Sequence, residues 1–261
     1  MAEWIVSLMP KHELYIEPFF GSGAVFFHKP PVSCEILIDK NDEVVNLFEV
    51  LRDEKRAEEL RSALSLTPYA RAEWLKSKKP AKQPVERARR FLVRSWMTYG
   101  HTFVSATSGW RNDGLSTIGD GSRRDSCASY WDNLPSQLAG ATKRLKQAQI
   151  ECRDAMEVLP KYNHEDVLLY VDPPYLGSTR NSHVNLYAND LALEGEHRLL
   201  LEQLLAHRGP VLLSGYASPL YDKVLEGWGR YEKPATSARG TTRTEVLWVN
   251  PRVSTKQMKL F

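Results

Sequence analysis

"LYIEPFFGSGAVFFHKPPVSCEILID", from Leu14 to Asp39, is the stretch that decides the fold. "LYIEP" reads as a short apolar strand and "FFGSGAVFF" as a glycine turn opening a helix. "CEILID" reads as a second strand ending on Asp39. Strand, turn, helix and strand within this length make a βαβ unit, which implies a parallel sheet. Upstream, "WIVSLMP" reads as a surface amphipathic helix; it lacks a cationic start and is too brief to span a bilayer. Downstream, "DEVVNLFEVLR" has helical spacing of Val44, Val45, Phe48 and Leu51.

The alternation returns near the other end. "QIECRD", "VLLYVDPPY", "PVLLSGY" and "TEVLWVN" read as strands, and "EGEHRLLLEQLLAH" and "SPLYDKVLEG" as helices. Between the two α/β parts the character changes. "RDEKRAEELRSAL", "ERARRFLVRSWM" and "LPSQLAGATKRLKQA" read as helices. "SATSGWRNDGLSTIGDGSRRDS" has no apolar periodicity and reads as a long loop. The expected organisation is a catalytic sheet domain over 1–51 and 150–261, with an inserted domain over 52–149.

The totals fit one sizeable core with an insertion: 261 residues, 42% hydrophobic and 26% charged, formal net charge +3. Such a small excess of positive charge makes its distribution matter more than its sum. Cys34, Cys127 and Cys152 are far apart without CxxC spacing, which argues against a disulfide framework or a zinc site. The seven histidines are dispersed, without an HxH or HxxxH pair. His197 reads as a surface residue, and no metal is expected. With no signal peptide visible, a soluble cytoplasmic protein is expected.

Ligands of α/β sheets sit beyond the carboxyl ends of the strands. Gly21 and Gly23 let the chain turn sharply at such an end, and the following helix offers free N–H groups. The turn is neither GxGxxG nor a phosphate loop with its Lys-Ser/Thr pair, so a nucleotide-like ligand without a phosphate cradle fits better. Asp39, at the next strand end, could accept bonds from ribose hydroxyls. Packing alone could equally explain two glycines in a turn.

"LLYVDPPYLG", Leu168 to Gly177, poses the second problem. Prolines cannot continue a central ladder, so Pro173 and Pro174 force the chain out after Asp172. A carboxylate and a backbone carbonyl, rigidly held, make two acceptors. An exocyclic amine has two N–H donors, and its lone pair is delocalised into the ring. Accepting both hydrogens draws the nitrogen toward tetrahedral geometry and frees the lone pair for attack. Tyr175 supplies a face on which an extruded base can stack. A Pro-Pro turn after an incidental acid is the plain alternative.

"YIEPFFGSGAVFF", "ILIDKN", "ECRDAMEVL", "LLYVDPPYLG", "VLLSGY" and "RTEVLWVN", in that order, resemble the Dam-like adenine-N6 DNA methyltransferases. "RRFLVRSWMTYGHTF" and "GWRNDG" resemble their recognition segment. The resemblance implies a Rossmann-like α/β sheet, mostly parallel with one antiparallel strand, and an inserted, mainly helical recognition domain. It implies S-adenosylmethionine as methyl donor, held by Glu17, Pro18, Phe19, Gly21, Ser22 and Gly23. Asp39 matches the ribose acid and Asp154 the acid at the donor's adenine edge. Asp172, Pro173, Pro174 and Tyr175 match the catalytic motif, with Asp172 also facing the donor.

The expected substrate is double-stranded DNA. Arg94, Tyr99, Trp110, Arg111, Arg123 and Arg124 in the insertion, with Arg180, Asn181 and Tyr187 after the catalytic motif, are its candidate contacts. Solvated charge and an ordinary surface loop are the plain alternatives. Members usually open with a Gly-Lys segment ahead of the first helix, whereas this sequence starts at Met1 within what reads as that helix. A DNA-binding module without catalysis therefore stands as one alternative. Cytosine-N4 methylation is the other, through the same amine chemistry, although it more often carries Ser at the place of Asp172. Cytosine-C5 chemistry is disfavoured, because no cysteine follows a proline.

Overall fold

The computed structural model describes residues 1–98, 109–112, 126–176, 193–236 and 242–253. They fall into two compact units. One runs over Met1–Asn41 and resumes at Gln147, and the other is Asp42–Lys146.

The first unit is a seven-stranded sheet of order β3-β2-β1-β4-β5-β7-β6. The strands are β1 (Leu14–Glu17), β2 (Cys34–Asp39), β3 (Gln149–Cys152), β4 (Val167–Val171), β5 (Val211–Tyr216), β6 (Gly229–Thr236) and β7 (Thr242–Val249). Pairing is parallel from β3 through β5; β7 runs antiparallel to both β5 and β6. It is the one reversed strand of a mostly parallel sheet, as expected. Every residue of β4, "VLLYV", is buried, as a central parallel strand covered on both faces requires.

β6 is a strand that the apolar pattern does not reveal. It reads "GRYEKPAT". Among the described residues it pairs only with β7, and charged residues and Pro234 are tolerated at such an edge.

The βαβ unit is present: α2 (Ala24–His28) joins β1 to β2. The amino-terminal helix α1 (Ala2–Ser7) buries Ile5 and packs on α2. On one sheet face, Ile16, Ile38, Leu169, Val171 and Leu213 pack with residues of α9 (Glu194–Ala206) and α10 (Pro219–Val224). Burying each such aliphatic side chain contributes about 1.5–3 kcal/mol.

His197 corrects the sequence reading. It is fully buried, with Nδ1 2.6 Å from the Tyr221 hydroxyl. It precedes Leu200, Leu201 and Leu204 by three, four and seven residues, which puts it on the buried stripe of α9.

The opposite face carries polar side chains. Strand parity turns Tyr15, Glu17, Glu35 and Tyr170 to one side, and Tyr15, Glu17 and Glu35 are almost wholly buried there. Lys29, from the end of α2, pairs with Glu35 at 2.5 Å and lies 4.5 Å from the centre of the Tyr15 ring.

The second unit is helical: α3 (Asp42–Arg52), α4 (Glu54–Ser65), α5 (Arg71–Ser77), α6 (Pro84–Met97) and α7 (Cys127–Leu145). It takes in α3, which strand–helix alternation groups with the sheet; α3 packs on α6 and α7. Asp53 caps α4 by accepting from the Arg56 amide, and Ser126 caps α7 by accepting from Ser129. Two buried indoles find acceptors: Trp131 donates to the Thr67 carbonyl and Trp74 to the Thr98 hydroxyl. In the first unit, the short helix α8 (Ala155–Val158) follows β3.

Candidate active site

The glycine turn lies at the carboxyl end of β1. The Phe20 amide donates to the Ile38 carbonyl at 3.0 Å, which ties the turn to the end of β2. Gly21 and Gly23 have φ of +49° and +66°, values that L side chains rarely adopt. Their roles differ. A Cβ on Gly21 would meet nothing within 4 Å, whereas one on Gly23 would lie 2.4 Å from a ring atom of Phe20. Gly23 is thus a packing glycine, and Gly21, exposed beside Ser22, leaves a backbone that a ligand can approach.

Asp39 ends β2 and faces this turn. Its Oδ2 accepts from the Gly21 amide at 2.7 Å and its Oδ1 from the Asn41 amide at 2.8 Å. Loss of hydration raises its pKa above the ordinary carboxylate value, against those amide donations. Each oxygen keeps lone-pair capacity for a hydroxyl donor.

Asp154 follows β3. Its Oδ1 accepts from the Met156 amide at 2.9 Å, capping α8, and its Oδ2 takes Lys40 Nζ at 2.7 Å. Burial pushes its pKa up, but Lys40 and the Met156 amide more than offset this, and it ends below the ordinary value. Lys40, directly after Asp39, thereby links the ends of β2 and β3.

Asp172 stands at the end of β4. The residue is exposed at the rim, yet its carboxylate turns in against β5, where Ser214 Oγ donates to Oδ1 at 2.8 Å. Register explains the contact. Tyr170 pairs with Leu212 and Val171 with Leu213, so the next step sets Asp172 beside Ser214. Loss of hydration raises the Asp172 pKa, against donation from Ser214. Pro173 is buried and Pro174 half-buried. Lacking N–H groups, they bring acceptors and no donors to the turn.

Tyr175 is held at both ends. Its hydroxyl donates to Glu245 Oε2 at 3.0 Å, and its ring meets Tyr216 edge-on at a 4.4 Å centroid distance. Glu17 accepts from the Tyr15 hydroxyl at 2.7 Å. Its pKa lies well above the usual value, first through burial, with Asp172 adding like-charge repulsion. Pro18 is buried and Phe19 half-buried beside it.

The strand ends thus gather the glycine turn, Asp39, Asp154, Asp172 and Tyr175 along one edge of the sheet. Sequence reasoning missed Lys40, Ser214, Glu245 and Tyr216 there. Ser214 left one signal, a lone hydroxyl in an apolar strand.

The candidate DNA contacts are less uniform. Arg94 donates to the Ser77 carbonyl at 2.5 Å and pairs with Glu43. On the same helix Arg87, Arg89 and Arg90 pair with Asp42, Glu73 and Glu86. These arginines brace the helical unit internally. Trp110 bridges to Thr98 and packs on Tyr69 at 5.9 Å, while Arg111 ties its backbone to Met97 and Tyr69. Tyr99, Arg123, Arg124, Arg180, Asn181 and Tyr187 lie outside the described residues.

An open glycine turn, an acid at the next strand end and a carboxylate held at a Pro-Pro exit suit methyl transfer to an amino nitrogen, which defines the class as an amino methyltransferase. The chain belongs to the D12 class N6 adenine-specific DNA methyltransferase family, whose model matches residues 1–238. It methylates N6 of adenine in DNA and uses S-adenosylmethionine, as the sequence resemblance implies.

No curated protein matches the chain. A conserved hypothetical protein from Streptococcus pyogenes is similar at 13% identity and a TM-score of 0.35, covering 91% of this chain and 85% of that one. A "putative RNA methyltransferase" from Pyrococcus horikoshii is similar at 15% identity and a TM-score of 0.28, covering 75% and 97%.

The residues fit the donor: the Gly21 backbone lies open where a Cβ would meet nothing, and the Asp39 carboxylate faces it. Among the described residues, no cluster of His, Cys, Asp or Glu could hold a metal, and no helix is long and apolar enough to cross a membrane.

Proposed function

We propose that this chain flips the target adenine out of duplex DNA and holds its amino group against Asp172 and the Pro173 carbonyl, with the base stacked on Tyr175. S-adenosylmethionine supplies a methyl group on a sulfonium centre. The glycine turn receives it, Asp39 accepts from its ribose hydroxyls and Asp154 meets its adenine edge. Asp172 and the Pro173 carbonyl each accept one N6 hydrogen, so the nitrogen lone pair leaves conjugation and attacks. The new N–C bond forms as the carbon–sulfur bond breaks, with no covalent enzyme intermediate. The N6 proton then passes to Asp172 or to water.

The observation that carries this reading is the Asp172 carboxylate, gripped at 2.8 Å by Ser214 where two prolines end the central strand. The helical unit is read as the target-recognition domain. Trp110 and Arg111 are its described candidates for DNA contact, and Arg94 supports them from within. The site of action is the cytoplasm, where DNA and donor meet.

The test is Asp172→Ala, assayed for transfer to duplex DNA and, separately, for donor binding by calorimetry. Turnover should vanish while donor affinity stays near that of the parent chain. Near-normal methylation by this variant would falsify the mechanism.

A further inference from the structure

Behind Asp172 the Ser214 contact continues into a chain of hydroxyls, of which the methyl-transfer reading uses only the first link. Ser214 Oγ lies 2.8 Å from Asp172 Oδ1 and 3.1 Å from the Tyr170 hydroxyl. Ser214 and Tyr170 are 6% and 2% exposed, so water does not compete freely for these bonds. Strand parity sets all three side chains on one sheet face: Tyr170 and Asp172 two apart along β4, Ser214 beside them on β5.

A serine hydroxyl has one hydrogen. It can go to Asp172 at 2.8 Å or to the Val171 carbonyl at 3.5 Å, and the shorter, charge-assisted bond prevails. Ser214 then has only lone pairs to offer Tyr170, so the phenol donates. The chain runs one way, from Tyr170 to Ser214 to Asp172. Burial keeps the Tyr170 phenol protonated far above its ordinary range, so this direction persists.

We propose that Ser214, itself oriented by Tyr170, is a positioning residue that fixes the Asp172 carboxylate by occupying Oδ1 and leaves Oδ2 to accept from the adenine amine. This rests on the reading of Asp172 given above and adds what orients it. The two prolines set where the chain leaves the sheet, and Ser214 sets the rotation of the carboxylate.

A purely structural role, two core hydroxyls satisfying each other, would leave the reaction's pH dependence alone. The proposed role would not. Among the described residues, Tyr15 and Glu17 on β1, Tyr170 on β4, Tyr175 in the turn, Glu245 on β7 and Tyr221 on α10 are titratable groups around this acid and its phenol partner. None of them brings positive charge. Burial already raises the Asp172 pKa, and donation from Ser214 lowers it. Removing that donor raises it further, so fewer molecules carry the ionised acceptor at a given pH.

The test measures single-turnover methyl transfer to duplex DNA against pH, with donor affinity measured separately. Ser214→Ala should slow transfer roughly ten- to hundredfold near neutral pH, the scale of a lost bond to a charged group. Its acid limb should move to higher pH with donor affinity unchanged. Tyr170→Phe should move the limb the same way by less, and Ser214→Thr, which keeps the hydroxyl, should restore it. The proposal is overturned if Ser214→Ala keeps the parent rate and limb. It is equally overturned if the rate falls with the limb unmoved and threonine fails to rescue. If Asp172→Ala is dead while Ser214→Ala is normal, only this proposal fails. If Asp172→Ala still turns over, the reading beneath it fails too.

Discussion

Replacing Gly23 by alanine should cost more stability than replacing Gly21, although both glycines occupy the left-handed region of one turn. Left-handed backbone costs an L residue about 1–2 kcal/mol at either position. At Gly21 nothing lies within 4 Å of the added Cβ, so that is the whole cost. At Gly23 the Cβ would lie 2.4 and 2.6 Å from Phe20 ring atoms and 3.0 Å from Phe27. Phe20 is 3% exposed and set edge-on to Phe26 at 5.6 Å, so its ring cannot swing aside. Overpacking of this kind adds about 1–3 kcal/mol, giving about 2–5 kcal/mol at Gly23. Equilibrium unfolding in urea measures both variants, and calorimetry measures their donor binding. Gly21→Ala should lose only the left-handed cost of about 1–2 kcal/mol yet bind S-adenosylmethionine more weakly, because its Cβ fills the open side of the turn. Equal stability losses at the two positions would refute the assignment of Gly23 to packing and Gly21 to the ligand.

Lys29→Met should destabilise the chain by about 3–5 kcal/mol in the same unfolding assay, since it leaves Glu35 charged and buried without its partner. Tyr175→Ala should lower kcat/KM for duplex DNA by roughly ten- to hundredfold, the worth of one base stacked on an aromatic ring. Tyr175→Phe, which keeps the ring and loses only the bond to Glu245, should lose less. Glu86 provides a pH test. Bonds from Arg89 and Arg90 lower its pKa from 4.5 to about 2 in the folded chain. A lowered acid contributes stability above its unfolded pKa and loses it as pH falls toward the folded value. The parent chain should therefore lose stability relative to Glu86→Gln between pH 4.5 and about 2, as followed by acid titration of the far-ultraviolet circular dichroism.

The sheet was legible where burial covers both faces. "VLLYV" and "CEILID" can hardly be anything but core strands, and the glycine turn between two of them fixes the βαβ unit. β6 escaped because an edge strand tolerates charge and Pro234, which erase the apolar signal. His197 was misread because a polar residue on a buried stripe looks, in sequence, like one on a solvated face. Its partner, the Tyr221 hydroxyl, lies 24 residues away. The acids at the strand ends were legible one at a time, since each ends an apolar run. What holds them was not: Ser214 meets Asp172 only through the register of β4 and β5, and register is a property of paired strands. Charge alone did not reveal the pairing of Arg94, because the carboxylate that meets it, Glu43, lies on a different helix.

The most direct test supplies the purified chain with duplex DNA and methyl-labelled S-adenosylmethionine, then digests the DNA and separates its nucleosides. All label should appear in N6-methyladenine, and none when Asp172 is replaced by alanine. Label in N4-methylcytosine, or transfer that survives the loss of Asp172, would contradict the account.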